Sequence, residues 1–187
     1  HKDNGMKFLA FAASHRLESL NLKLVQLAVK NMHALGAEVD LARYGEFDME
    51  IYNDTYADNQ PEATKSFAKR VQGIDGIIIS MPEYNWSYPG SLKNIIDWLS
   101  HFRPQPFLGK TAYLMCATPS KRGGAVGLSH LKIPLEALGC YVYPEVFTLS
   151  EAQAAFDEKG NINIPKANEQ FYQLLDGFVD FSKKLNA

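Results

Sequence analysis

Residues 76–99 read GIIISMPEYNWSYPGSLKNIIDWL, and this stretch decides the fold. The run GIIIS is apolar and of strand length, and a loop with two prolines follows it. Pro89 lacks an N–H group, which suits it to the first position of a helix. A stripe of apolar residues then recurs at helical spacing, namely Leu92, Ile95, Ile96 and Leu99. Trp98 projects off this stripe, so we expect its ring to face a partner subunit or a loop.

The same strand–loop–helix alternation runs through the rest of the chain. Strands are predicted at residues 7–12, 38–43, 76–80, 111–117 and 141–144, with an extension through 147–149 left open. The first helix is predicted between the first two strands. Further helices are predicted over 62–72, from 89, over 124–138 and from 165. This order predicts an α/β domain with a doubly wound, five-stranded parallel sheet between two helical layers. Ligands of such sheets lie at the carboxyl ends of the strands, where the strand order switches.

The outer helices of this prediction carry apolar faces. In the first, these are Leu24, Val25, Ala28, Met32 and Leu35; in the last, they are Phe171, Leu174, Leu175, Phe178, Phe181 and Leu185. Asn21 projects to the same side of the first helix at its first turn, where a polar side chain can cap backbone groups or face a ligand.

Composition excludes several classes of protein. With 187 residues, a net charge of −2 and no basic run, the chain does not resemble a nucleic-acid-binding protein. Its apolar runs are far shorter than the roughly 20 residues of a membrane-spanning helix, so no membrane association is expected. The two cysteines, Cys116 and Cys140, have no metal-ligand spacing. We expect both to be buried thiols, and the protein to be cytoplasmic. Residues 1–5 precede Met6 and resemble a cloning remnant, which leaves residues 6–187 as one domain.

Loop A, residues 13–21, follows the first strand and reads ASHRLESLN. The start of a helix offers unpaired N–H groups, Ser14 and Ser19 add hydroxyl groups, and Arg16 adds a positive charge. Taken singly, Ser19 could be a helix cap and Arg16 a surface charge. Their joint placement at a strand-to-helix turn predicts a phosphate site without the glycines of a P-loop.

Loop B, residues 81–90, follows the third strand and contains three aromatic residues and two prolines. Prolines stiffen a loop, and aromatic side chains supply flat apolar area. A rigid aromatic loop at the switch point suits a planar heterocycle. The alternative is that the aromatic residues only cover the helix that follows.

Loops A and B together resemble the NADPH-dependent FMN reductase family, of flavodoxin-like fold. The resemblance rests on Ser14-x-Arg16-x-x-Ser19-x-Asn21 and on the PEYNWSYPGSLKNIIDW segment of residues 82–98. It implies an enzyme that passes electrons from NAD(P)H through FMN to a small-molecule acceptor, with no protein side chain as catalyst. The residues that it assigns to the phosphate are Ser14, Arg16, Ser19, Leu20 and Asn21; those along the isoalloxazine are Pro82, Glu83, Tyr84 and Asn85.

Loop C, residues 117–124, resembles the small glycine-rich turn that family members place beside the flavin. Thr118, Ser120, Gly123 and Gly124 are therefore further candidates for cofactor contacts. Gly123 and Gly124 can adopt positive φ and bring backbone N–H groups to the ring. A plain loop before the fourth helix is the equally weighted alternative.

The sequence contains no motif for nucleophilic or metal-dependent catalysis. No Ser/His/Asp or metal-ligand set occurs, so no metal is expected. A flavodoxin-type electron carrier without NAD(P)H turnover remains the alternative function. The resemblance also implies a homodimer or a dimer of dimers. Residues 44–60, with Phe47, Tyr52 and Tyr56, could cover the site, contact a second subunit or form an ordered surface loop.

Overall fold

A parallel β-sheet forms the centre of the protein in the computed structural model, which describes residues 5–56 and 58–187. Its strands are β1 (Lys7–Ala12), β2 (Glu38–Leu41), β3 (Gly76–Ser80), β4 (Thr111–Ala117), β5 (Tyr141–Val142) and β6 (Phe147–Leu149). The strand order is β2-β1-β3-β4-β5, and β6 also pairs with β4. The order reverses between β1 and β3, so the ends of these two strands form the switch point.

Five α-helices cover the two faces of the sheet. They are α1 (Leu20–Ala34), α2 (Glu62–Gln72), α3 (Gly90–Leu99), α4 (Ala125–Ala137) and α5 (Pro165–Leu185). Helices α1 and α5 bury their apolar faces in one core, and α2, α3 and α4 in the other. The predicted three-layer, doubly wound α/β fold is confirmed.

The central strands explain why the fold could be anticipated. In β1, Phe8 and Ala10 enter one core while Leu9 and Phe11 enter the other, because successive side chains point to opposite faces. A strand buried on both faces reads as a continuous apolar run. The predicted bounds of β1, β3 and β4 are confirmed, as are those of α2 and the start of α5.

The edge strands differ from the prediction. Strand β2 ends at Leu41 rather than at residue 43, and the fifth strand ends at Val142 rather than at 144. Residues 147–149 return to β4 as a separate strand. Pro144 lies in the gap and has no N–H group to donate to a ladder.

Trp98 faces a loop, which is one of the two alternatives that the sequence left open, and not a partner subunit. Its side chain is fully buried, and its indole N–H donates to the Glu50 carbonyl over 2.7 Å. The Tyr52 ring meets it edge-on, with ring centroids 5.1 Å apart. Asn94 of α3 accepts a hydrogen bond from the Tyr52 N–H and donates to the Glu50 carbonyl. Residues 49–52 thus form an ordered layer over α3, which hides the tryptophan.

Two apolar helix positions are also more exposed than predicted. Leu35 follows the last residue of α1 and Leu185 is the last residue of α5, and both are exposed. The cloning-remnant interpretation falls on residues 1–5, of which 1–4 lie outside the described residues, as does residue 57.

Candidate functional site

A cavity of about 450 Å³ lies where β1, β3 and β4 end. Its lining comprises Ser14, Arg16, Glu18, Ser19, Leu20, Asn21, Pro82, Glu83, Tyr84, Ala117, Thr118, Pro119 and Gln153. The structure thus brings together, at the switch point, nine residues that the sequence proposed from three separate loops. Asn85, Ser120, Gly123 and Gly124 do not line the cavity.

Loop A begins α1 with a capped but incompletely paired turn. The Ser19 hydroxyl accepts hydrogen bonds from the N–H groups of Asn21 and Leu22, at 3.2 and 3.4 Å. The Ser14 hydroxyl accepts from the Arg16 N–H at 3.3 Å. In the described part of the chain, the N–H groups of residues 17–20 have no hydrogen-bond acceptor. Four successive donors beside an arginine make this end of the cavity suited to an anion.

Asn21 closes loop A by binding the sheet. The side chain is 3% exposed, and its oxygen accepts hydrogen bonds from the Ser80 hydroxyl and the Ala117 N–H, each at 2.8 Å. Its amide nitrogen donates to the Ala117 carbonyl at 3.0 Å. The helix cap is Ser19 and not Asn21, and Asn21 also lines the cavity, so its ligand role stays a prediction. The asparagine holds the ends of β3 and β4 to the first turn of α1.

Loop B is a preformed hairpin. The N–H of Tyr84 donates to the Ser87 carbonyl at 2.9 Å, and the Ser87 N–H donates to the Tyr84 carbonyl at 3.0 Å. The Glu83 carboxylate accepts a hydrogen bond from the Gly127 N–H at 2.8 Å, in the first turn of α4. A carboxylate at a helix N-terminus is stabilised by the helix dipole. Glu83 thereby connects loop B to α4, while Tyr84 stays half exposed beside the cavity.

Loop C turns sharply after Thr118 and Pro119, which line the cavity. Gly123 and Gly124 have φ values of 75° and 83°, as their freedom to adopt positive φ predicted. A Cβ on Gly124 would lie 2.4 Å from the Cys116 sulfur, so this position also needs a glycine for space. The role of these glycines toward a cofactor stays a prediction.

Four lining residues were missed by the sequence reasoning: Glu18, Ala117, Pro119 and Gln153. The first three lie inside loops that were already singled out. Gln153 lies in a short 3-10 helix, Ala152–Ala154. This helix is attached to loop C, because the Ala152 N–H donates to the Thr118 carbonyl. No local signal marks it, because its place depends on β6 pairing with β4.

The titratable groups near the cavity are not arranged for nucleophilic catalysis. Burial raises the pKa of the Cys116 thiol to about 12, which keeps it protonated at neutral pH. Burial also raises the pKa of Tyr44, whose hydroxyl bonds Ser91 beside loop B. Within residues 5–56 and 58–187, no cluster of three His, Cys, Asp or Glu side chains could hold a metal. No described helix is long and apolar enough to cross a membrane.

Comparison with known proteins assigns the chain to a family. The family model for NADPH-dependent FMN reductases matches residues 6–154, which include all three loops. The chain belongs to this family. FMN is accordingly its cofactor and NAD(P)H its co-substrate.

Individual relatives align with nearly the whole chain. An NAD(P)H-dependent FMN reductase of Pseudomonas aeruginosa is 34% identical over 183 residues, covering 96% of this chain and 97% of the relative. A quinone reductase of Pseudomonas putida is 30% identical over 172 residues, covering 89% and 87%. The solved structure of a flavoenzyme NAD(P)H:(acceptor) oxidoreductase from Paracoccus denitrificans superposes with a TM-score of 0.84. It is 28% identical, and the match covers 96% of this chain and 98% of that one.

Proposed function

We propose that this FMN-dependent oxidoreductase passes electrons from NAD(P)H to a small-molecule acceptor: a quinone, an azo compound, a metal oxyanion or free flavin. The observation that carries the proposal is the cavity at the switch point, which has anion-binding groups at one end and an aromatic loop at the other. For a quinone, the overall reaction is NAD(P)H plus H⁺ plus quinone, giving NAD(P)⁺ plus hydroquinone.

The phosphate end fits FMN. Arg16 and the unpaired N–H groups of residues 17–20 supply the positive charge and the donors that a phosphate monoester requires. Ser14 and Ser19 add hydroxyl groups, and Leu20 contributes its backbone N–H. We infer that Asn21 acts indirectly, by fixing the first turn of α1 that presents these donors.

The ring end fits a planar heterocycle. Pro82, Glu83 and Tyr84 line the cavity with stiff backbone, so the isoalloxazine would lie along this strip. We infer contacts from Asn85, Thr118, Ser120, Gly123 and Gly124 at its edge. Bound FMN supplies the hydride-accepting and electron-donating chemistry. The protein positions the ring and excludes water from one face, and no protein side chain need serve as acid or base.

A spectroscopic experiment tests this function. The flavin-loaded protein is mixed with NADPH under anaerobic conditions, and its flavin absorbance is followed. We expect rapid bleaching and recovery of the absorbance when a quinone is added. If NADPH does not bleach the flavin but dithionite does, the protein is an electron carrier of the flavodoxin type and not a reductase.

We further propose that residues 6–187 act as one domain in a cytoplasmic homodimer or dimer of dimers. Buried Trp98 no longer supports the assembly, but Ile51 does, since it is 85% exposed beside an apolar groove along α3. Two buried free cysteines are consistent with a reducing compartment. Sedimentation should give at least twice the 20.9 kDa chain mass, and a monomer at micromolar concentration would contradict the assembly.

A further inference from the structure

Trp86 occupies an unusual backbone conformation at the tip of loop B. Asn85 and Trp86 have φ values of 49° and 69°, which makes residues 84–87 a two-residue hairpin turn of type I′. The second position of such a turn normally carries glycine, and bulky residues rarely adopt positive φ. Strained residues of this kind persist where the surroundings hold them, and they cluster at ligand sites. Yet the Trp86 side chain is not buried, since the residue is 51% exposed.

Arg122 of loop C holds this tryptophan. Its guanidinium carbon lies 3.7 Å from the centroid of the indole ring, which is a close cation–π contact. Among the described residues, no carboxylate lies within ion-pair distance of Arg122. A stacked guanidinium keeps its N–H donors available at its rim, because stacking uses only the face. The pair thus presents a flat ring and a fixed cation to solvent.

The carboxylate of loop B is engaged by another group. Glu83 is the carboxylate of loop B, and its oxygen is bound by the Gly127 N–H at the start of α4. The rim formed by loops B and C therefore favours an anion.

We propose that Trp86 and Arg122 bind the negatively charged substituent of a planar electron acceptor, such as a sulfonated, carboxylated or ionised hydroxy-quinone. The indole would hold the guanidinium in place, and the guanidinium would pair with the acceptor's oxyanion. This inference rests on the proposed reductase function, and it names the class of acceptor that the site prefers. Trp86 and Arg122 are specificity-determining residues in this scheme, and the electron transfer itself does not involve them.

The short distance from Trp86 and Arg122 to the cavity lining favours the acceptor, and not the nucleotide, as the molecule that carries the anion. Trp86 is two residues from Tyr84 and Arg122 is three from Pro119, both of which line the cavity. Since a chain spans at most about 3.6 Å per residue, their α-carbons lie within roughly 11 Å of that lining. A compact aromatic acceptor carries its charge within this reach of its reducible ring. The 2′-phosphate of NADPH has the same chemistry, but two riboses and a pyrophosphate separate it from the nicotinamide.

Steady-state kinetics with two matched acceptors test the inference. The acceptors are 1,4-naphthoquinone-2-sulfonate and neutral 1,4-naphthoquinone, with NADPH as donor and flavin-loaded enzyme. Arg122→Gln should lower kcat/KM for the sulfonate about tenfold, the loss typical of one charge-assisted hydrogen bond. For the neutral quinone, kcat/KM should stay within about twofold of the wild-type enzyme, because no charge is recognised. Lys121→Gln removes the neighbouring charge and should leave both values within about twofold.

A second variant tests whether the indole positions the arginine. Trp86→Gly removes the ring at a backbone conformation that glycine adopts without strain, so the hairpin should be retained. We expect it to reproduce the selective loss for the sulfonate. Because the two side chains act as a unit, the double variant should lose little more than either single variant.

Three outcomes would overturn the inference. In the first, Arg122→Gln lowers kcat/KM equally for both acceptors. In the second, Lys121→Gln matches the effect of Arg122→Gln, which would indicate a general field and not a stacked pair. In the third, Arg122→Gln raises KM for NADPH but not for NADH, with acceptor selectivity unchanged, which would assign the cation to the nucleotide phosphate. All three leave wild-type turnover with the neutral quinone intact, so they are distinct from a failure of the reductase function.

Discussion

Loops A and B line the same cavity, yet the protein holds them in different ways. Loop A has Leu17 at 94% exposure, and the N–H groups of residues 17–20 are unpaired within the described chain. Loop B is tied to β4 by Met81 N–H to the Met115 carbonyl, to α4 by Glu83 and to itself by the Tyr84–Ser87 pair. An anion site needs donors that remain available, whereas a ring site needs walls that are already in place. Under the proposed function, loop A meets the first requirement and loop B the second.

Asn21 is the point where loop A is held as firmly as loop B. Asn21→Ala would leave the Ser80 hydroxyl and both backbone groups of Ala117 buried without a partner. Unsatisfied buried groups are costly, so we expect the free energy of unfolding to fall by about 3 kcal/mol, measured by chemical denaturation. Asn31→Ala on the same helix is the matched control. Its side-chain nitrogen is buried without a partner, so the loss should stay below about 0.5 kcal/mol. Equal losses would show that Asn21 has no special anchoring role.

Arg16 tests whether loop A reserves its donors for a phosphate. Arg16→Ala should weaken FMN binding about ten- to a hundredfold, or roughly 1.5–3 kcal/mol, because one charge-assisted hydrogen bond is lost. Riboflavin lacks the phosphate, so its weaker affinity should barely change. Quenching of flavin fluorescence on titration gives both constants. Lys23→Ala removes a charge from α1 outside the cavity and should leave FMN binding unchanged. If the affinities for FMN and riboflavin fell equally, the FMN phosphate would have to bind at another site.

Glu83 tests the anchoring of loop B and is expected to have the smallest effect. Glu83→Gln keeps the side-chain shape but removes the charge at the start of α4. The loss of the helix-dipole interaction should lower the free energy of unfolding by about 0.5–1 kcal/mol in thermal melts at low salt. Glu136→Gln removes an exposed carboxylate near the other end of α4, where the dipole opposes it, and should stabilise slightly. If both variants shift stability in the same direction, the helix dipole is not the cause.

Sequence reasoning succeeded where the physical signal was local. Strands β1, β3 and β4 are continuous apolar runs because both faces are buried, and each run is followed by a loop of distinctive composition. The carboxyl ends of parallel strands meet at one edge of a sheet, so loops A, B and C could be expected to converge there. That is why residues separated by more than 90 positions, such as Asn21 and Thr118, were assigned to one site, and both line the cavity.

Sequence reasoning was incomplete where a residue's surroundings come from distant segments. A helical projection placed Trp98 off the apolar stripe, and it could not show that residues 49–52 return to cover that side of α3. Gln153 reaches the cavity through the pairing of β6 with β4, which has no signature in its own neighbourhood. Two roles were open for Asn21, because its amide can form hydrogen bonds with a ligand or with backbone groups equally well. Only the positions of Ser80 and Ala117 show which groups of the protein it binds.

The two edges of the sheet affect the tendency of the protein to aggregate at high concentration. At one edge, β5 and β6 offer runs of two and three residues, interrupted around Pro144. At the other, β2 is four residues long and carries Glu38 and Asp40, the latter held by Arg70 at 2.7 Å. Exposed strand edges are templates for aggregation, and short or charged edges suppress it. Neither edge offers an incoming strand a long uncharged ladder, so the fold is protected against edge-to-edge polymerisation at high concentration.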